Sequence, residues 1–130
     1  MKSLVIGCLV LSLFVLTCNL PPDCAKFRNG NFTVLGNKRI SEIERNGDQQ
    51  LEWDNGPKKW TEPDTFKVKW LNDHSYMLLP NSSYLKKYHI DKTDAAITVD
   101  ILQTSVSSCT IRISTNLGSK TAEAEMFRSN

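Results

Sequence analysis

The sequence predicts an all-β domain: seven or eight short antiparallel strands in a meander that closes into a small barrel or folds over as a sandwich. Apolar residues alternate with polar ones at Phe66, Val68 and Trp70, at Ile97, Val99 and Ile101, and at Cys109, Ile111 and Ile113, the period-two pattern of half-buried strands. Turn chemistry recurs at short spacing, in Asn46-Gly47-Asp48, Asn72-Asp73 and Asn116-Leu117-Gly118, which joins such strands by hairpins. Long amphipathic stretches do not separate them, so a parallel α/β sheet is excluded.

In chain order, Lys26 to Leu35 reads as the first strand on Phe32 and Val34, and Phe27 reaches their face only through a bulge at Gly30. Arg39 to Glu44 is the second strand, its register left open because Ile40 and Ile43 have opposite parity. Gln49 to Trp53 follows, with Leu51 and Trp53 expected inward and Gln50 and Glu52 outward. Pro57 and Pro63 break the segment from Lys58 to Asp64, where Trp60 could cap the core.

Thr65 to Leu79 is a hairpin. A three-residue loop, Asn72 to His74, sets Trp70 opposite Tyr76 and Val68 opposite Leu78, whereas a two-residue loop sets them opposite Ser75 and Met77. The first pairs the larger side chains and is preferred. Tyr76 to Leu79 is apolar on both faces, so Tyr84 to Tyr88 is expected to fold back over Met77 and Leu79. A short helix at 82–90, capped by Ser82 or Ser83, competes with an ordered loop there. Ala96 to Leu102, Cys109 to Ser114 and Thr121 to Phe127 complete the strands, the last on Ala122, Ala124 and Met126.

Lys2 precedes an apolar run from Leu4 to Leu16, the head and core of an export signal. The run is shorter than the ~20 residues a membrane-spanning helix needs. The expected division is a signal at 1–17, a tether at 18–25 with the Pro21-Pro22 pair, and one β domain at 26–128. Val15-Leu16-Thr17-Cys18 resembles a bacterial lipoprotein box, with Thr17 where Gly, Ala or Ser usually stands. That makes Cys18 the expected lipidation site and the cell envelope, by way of an outer-membrane anchor, the expected location; without the lipid the protein is secreted. Lipidation leaves Cys24 and Cys109, either as a disulfide or as two thiols. The formal charge of +2 gives no reason to expect nucleic acid.

No motif for catalysis, metal or cofactor emerges. The two histidines, His74 and His89, have no ligand spacing with Cys, Asp or Glu, and no Gly-x-Ser-x-Gly elbow is present. The carboxylate pairs Glu42/Glu44 and Glu123/Glu125 belong on outward faces, where solvent accounts for them. Trp53, Phe66, Val68, Trp70, Tyr76 and Leu78 either line a pocket for a small ligand or form the core. Met77, Leu79, Tyr84 and Tyr88 are the expected partner surface. The expectation is therefore a non-enzymatic, lipid-anchored domain without cofactor that binds a small ligand or an envelope protein. The alternative is a structural lipoprotein with a filled core.

Four stretches carry a resemblance: Lys26-Phe27-Arg28-Asn29-Gly30-Asn31-Phe32 after an exported Cys, Ile43-Glu44-Arg45-Asn46-Gly47-Asp48, Val68-Lys69-Trp70-Leu71-Asn72-Asp73, and Ala96-Ile97-Thr98-Val99-Asp100-Ile101-Leu102. Together they resemble a family of small exported proteins of flavobacteria, uncharacterised in function, some bearing topoisomerase names that look like mislabels. The resemblance covers nearly the whole mature chain and brings no chemistry; the barrel expected from the strand pattern is lipocalin-like in general shape. In that family the position of His74 is often Cys, and those of Met77 and Leu79 are often polar. The usual cysteine partner is thus missing here, and the resemblance supports a Cys24–Cys109 bridge only if Cys109 takes its place.

Overall fold

The computed structural model describes residues 23–55 and 61–129. The signal, the tether up to Pro22 with Cys18, and the loop residues Lys58, Lys59 and Trp60 lie outside the described residues. Eight antiparallel strands run in sequence order around a closed barrel: β1 (Gly30–Gly36), β2 (Arg39–Asn46), β3 (Gln49–Asp54), β4 (Asp64–Trp70), β5 (Ser75–Pro80), β6 (Ile97–Thr104), β7 (Ser108–Thr115) and β8 (Thr121–Ser129). β8 pairs with β1, which closes the sheet on itself so that each described strand has a neighbour on both sides. A helix, α1 (Ser82–Lys87), sits between β5 and β6, and a single 3₁₀ turn, Ala25–Phe27, precedes β1.

The turns set the registers. Gly47, at φ 62°, takes the left-handed backbone of a two-residue hairpin that places Asn46 opposite Gln49. In the β4–β5 hairpin the Asn72 side chain accepts from the His74 N–H at 2.9 Å, and Trp70 lies opposite Tyr76 and Val68 opposite Leu78. The expected pairing of the larger groups is the one that forms.

Two expectations give way. Phe27 does not extend the first strand: it belongs to the 3₁₀ turn, is fully buried at 0% exposure, and the strand begins at Gly30, whose φ of 129° redirects the chain. The faces of β3 are also reversed. Gln50 turns inward at 1% exposure, while Leu51 and Trp53 take the opposite parity on the outer face, where Trp53 is still covered to 7% exposure.

An eight-stranded barrel has an interior that side chains can just fill, or that can hold one small ligand. Here the two ends differ. At one end Phe27, Phe32, Ile101, Cys109 and Met126 are all buried to 2% exposure or less and close the barrel, with the 3₁₀ turn as a plug. Towards the other end the inward positions are small: Gly36 on β1, Ser41 on β2, and Ala122 and Ala124 on β8. Outward positions carry Glu42, Glu44, Lys67, Lys69 and Arg112, unlike the continuous apolar band of a membrane-spanning barrel.

Candidate ligand cavity at the open end of the barrel

Those small inward residues leave a cavity of about 760 Å³ inside the open end, within the range of small-molecule sites. Val34, Ile43, Leu78, Val99, Ile111 and Ile113 form its apolar wall. Tyr76 and Gln50 lie at its floor, and Glu52 and Asp54 project from β3 on one side.

Below the floor Arg45 is 2% exposed. Its Nε and Nη2 donate to Gln50 Oε1 at 2.9 and 2.8 Å, Nη2 also donates to the Tyr76 hydroxyl at 2.7 Å, and Nη1 donates to the Phe27 carbonyl at 2.7 Å. The guanidinium also lies 4.3 Å from the Tyr76 ring centroid. These acceptors are all neutral, so the buried cation rests on hydrogen bonds and ring faces instead of a carboxylate. Burial pushes the Tyr76 phenol up more strongly than Arg45 draws it down, which keeps it neutral.

With its oxygen held by Arg45, Gln50 turns its amide nitrogen towards Glu52, at 3.4 Å from Oε2. Burial, and then the charge of Asp54, push the Glu52 carboxyl up to about 7. Asp54 accepts from Arg39 Nη2 at 2.7 Å and from Ser41 Oγ at 2.5 Å. The carboxyls of β3 are therefore unequal, one ion-paired and one held only by an amide and its acidic neighbour.

The mouth is framed by α1. Asn81 caps the helix by accepting from the Tyr84 N–H at 2.8 Å. Lys87 Nζ at 3.0 Å and the Tyr88 hydroxyl at 3.1 Å both donate to Asp64 and tie the helix to β4. The Tyr84 ring lies 5.0 Å from Phe66 and 4.6 Å from Tyr88, and both tyrosines face the cavity. Burial, followed by Tyr88, pushes the Tyr84 phenol up to about 12.

Of the residues singled out in the sequence, Tyr76 and Leu78 line the cavity, while Phe66 and Val68 are buried in the core beside it. Trp70 packs on Tyr76 at 4.8 Å beneath the Arg28 guanidinium, 4.2 Å from its ring, and does not line the cavity. Trp53 is on the outer face, its indole N–H donating to the Thr61 carbonyl at 3.1 Å. Met77 and Leu79 point outward, opposite in parity to Tyr76 and Leu78, whereas Tyr84 and Tyr88 turn to the mouth. The fold therefore does not join these four into one surface. Cys24 and Cys109 are free thiols in the closed-end core, so the expected bridge is not formed. Burial raises both, with Cys24 as the second cause for Cys109, which reaches about 12.

Sequence reasoning missed Arg45, Gln50 and Glu52, although a signal for them was there. The Asn46-Gly47 turn sets Arg45 opposite Gln50 and Ile43 opposite Glu52. Cross-strand partners share a face, so an inward Ile43 carries Arg45, Gln50 and Glu52 inward with it. Among the described residues no group of three or more His, Cys, Asp or Glu could hold a metal. Comparison with family models, with curated proteins and with solved structures finds no match to this chain.

Proposed function

We propose that this protein is an exported binding domain, anchored through a lipid on Cys18, that takes a small amphipathic molecule into the open end of its barrel without transforming it. The cavity carries this reading: an apolar wall from β1, β5, β6 and β7 faces polar groups on β2, β3 and the floor, the pattern of a site that orients one ligand. The signal-like run and lipoprotein box at 1–18 support export and anchoring. The filled-core alternative has no account of why Ala122, Ala124, Ser41 and Gly36 leave the upper half of the barrel unfilled. An envelope protein remains the reading for the outward Met77 and Leu79.

Mass spectrometry of organic extracts from the protein purified out of its native host tests the ligand. The expected result is a small molecule present near equimolar amounts and lost when Ala124→Phe fills the cavity. Equal recovery from that variant would overturn the assignment to the cavity. Intact-mass analysis of the mature chain tests the anchor, with a diacylglyceryl adduct on Cys18 expected.

A further inference from the structure

Building on the cavity reading, we propose that the ligand is a lipophilic organic cation, with its apolar body against the β1, β5, β6 and β7 wall and its positive head beside Glu52.

The charges inside the cavity favour this class. Arg39 is the basic residue among the lining groups, and it is already committed to Asp54 at 2.7 Å. Arg45 lies below the floor with four hydrogen bonds directed at Gln50, Tyr76 and the Phe27 carbonyl. Lys87 at the rim is held by Asp64 at 3.0 Å. Among the described residues, then, no basic side chain bonds Glu52, and its partners are the Gln50 amide at 3.4 Å and the Asp54 carboxyl. An anionic head would meet the Glu52 and Asp54 carboxyls without a free cation to receive it. A positive head would complete Glu52, which among the described cavity-lining carboxyls stands without an ion pair, since Asp54 is held by Arg39 and Glu123 by Arg112 at 3.5 Å. Tyr84 and Tyr88 bring aromatic rings to the mouth, and the Tyr88 ring already receives a cation, Lys87 Nζ at 4.9 Å from its centroid.

The proposal implies a pH dependence. The groups acting on Glu52 are Asp54 and Gln50 on its own strand and Asp64 opposite it on β4, while Arg39 on β2 and Glu123 on β8 line the same cavity in ion pairs with Asp54 and Arg112. Tyr76 on β5 and Tyr84 on α1, both pushed up by burial, stay neutral around pH 7. Glu52 is thus the group that gains charge near neutrality, and preference for a permanent cation should rise as pH passes through about 7.

Three probes of matched chain length separate the claims: decyltrimethylammonium, decanol and decanoate, each titrated into the full protein by calorimetry at pH 5.5 and 8.5. The expected result is that the cation binds at least about tenfold more tightly than either other probe at pH 8.5, the range of one well-placed charge pair. The margin should shrink at pH 5.5. Glu52→Gln should abolish it while decanol binding persists. Decanol or decanoate binding as tightly as the cation to the wild-type protein would overturn this inference and leave the cavity reading standing. A cation preference that survives Glu52→Gln, or that does not change with pH in the wild-type protein, would also overturn it. Failure of all three probes to bind would count against the cavity reading itself. The wild-type pH comparison keeps the test valid should the Glu52→Gln chain fold poorly.

Discussion

Arg45 and Glu52 sit at the boundary between the filled and the open half of the barrel, joined through Gln50. Truncating Arg45 would strand Gln50 Oε1, the Tyr76 hydroxyl and the Phe27 carbonyl in a buried site. Arg45→Ala is therefore expected to cost about 2–4 kcal/mol in urea denaturation. Glu52 acts in the opposite sense. Below about pH 4.5 its carboxyl is protonated in both folded and unfolded chains and has no effect. Between there and about pH 7 the folded chain holds the proton and the unfolded chain releases it, so stability falls as pH rises through that window and levels off above it. Glu52→Gln should remove this dependence and stabilise the protein at pH 8 by roughly 1–2 kcal/mol relative to wild type, as read from melts at pH 4.5 and pH 8. The raised thiols of Cys24 and Cys109 should stay unmodified by iodoacetamide at pH 8 in the folded protein and react in urea.

At the scale of elements, what was legible in the sequence depended on whether polarity and position agreed. In β4, β6, β7 and β8 the alternating apolar positions face inward, so strands and faces follow from alternation, whereas β5 is apolar on both faces and its register follows from pairing the larger side chains. β3 breaks the rule, because Gln50 turns inward to bond the buried Arg45 and Trp53 finds cover outside through the Thr61 carbonyl. Alternation alone cannot read such a strand; the tight turn before it can. The plug was missed for a different reason. Phe27 reaches the core from a 3₁₀ turn, where strand parity carries no information. Phe27→Ala is expected to cost about 3–5 kcal/mol, since it empties a fully buried site. α1 is more weakly held, with no fully buried residue of its own. Asn81→Ala should weaken it by about 1 kcal/mol and speed amide exchange at Leu85 and Tyr88, leaving the β-strand amides protected.

For the whole molecule, one sequence property separates the ends of the barrel: the size of the inward side chains. Aromatic and long aliphatic residues fill the half near the 3₁₀ turn, and glycine, serine and alanine leave room in the other. The short residues of β8 were visible as alternation, but that they line one cavity with Gly36 and Ser41 follows only from closure of β8 on β1. Methyl-resolved NMR during a titration with decanol and with decyltrimethylammonium tests the division most directly. The predicted result is saturable shifts at Val34, Leu78, Val99 and Ile111 of the open end, with Ile101 at the closed end unmoved. Absent shifts, or shifts confined to outward residues such as Leu35 and Leu117, would contradict it.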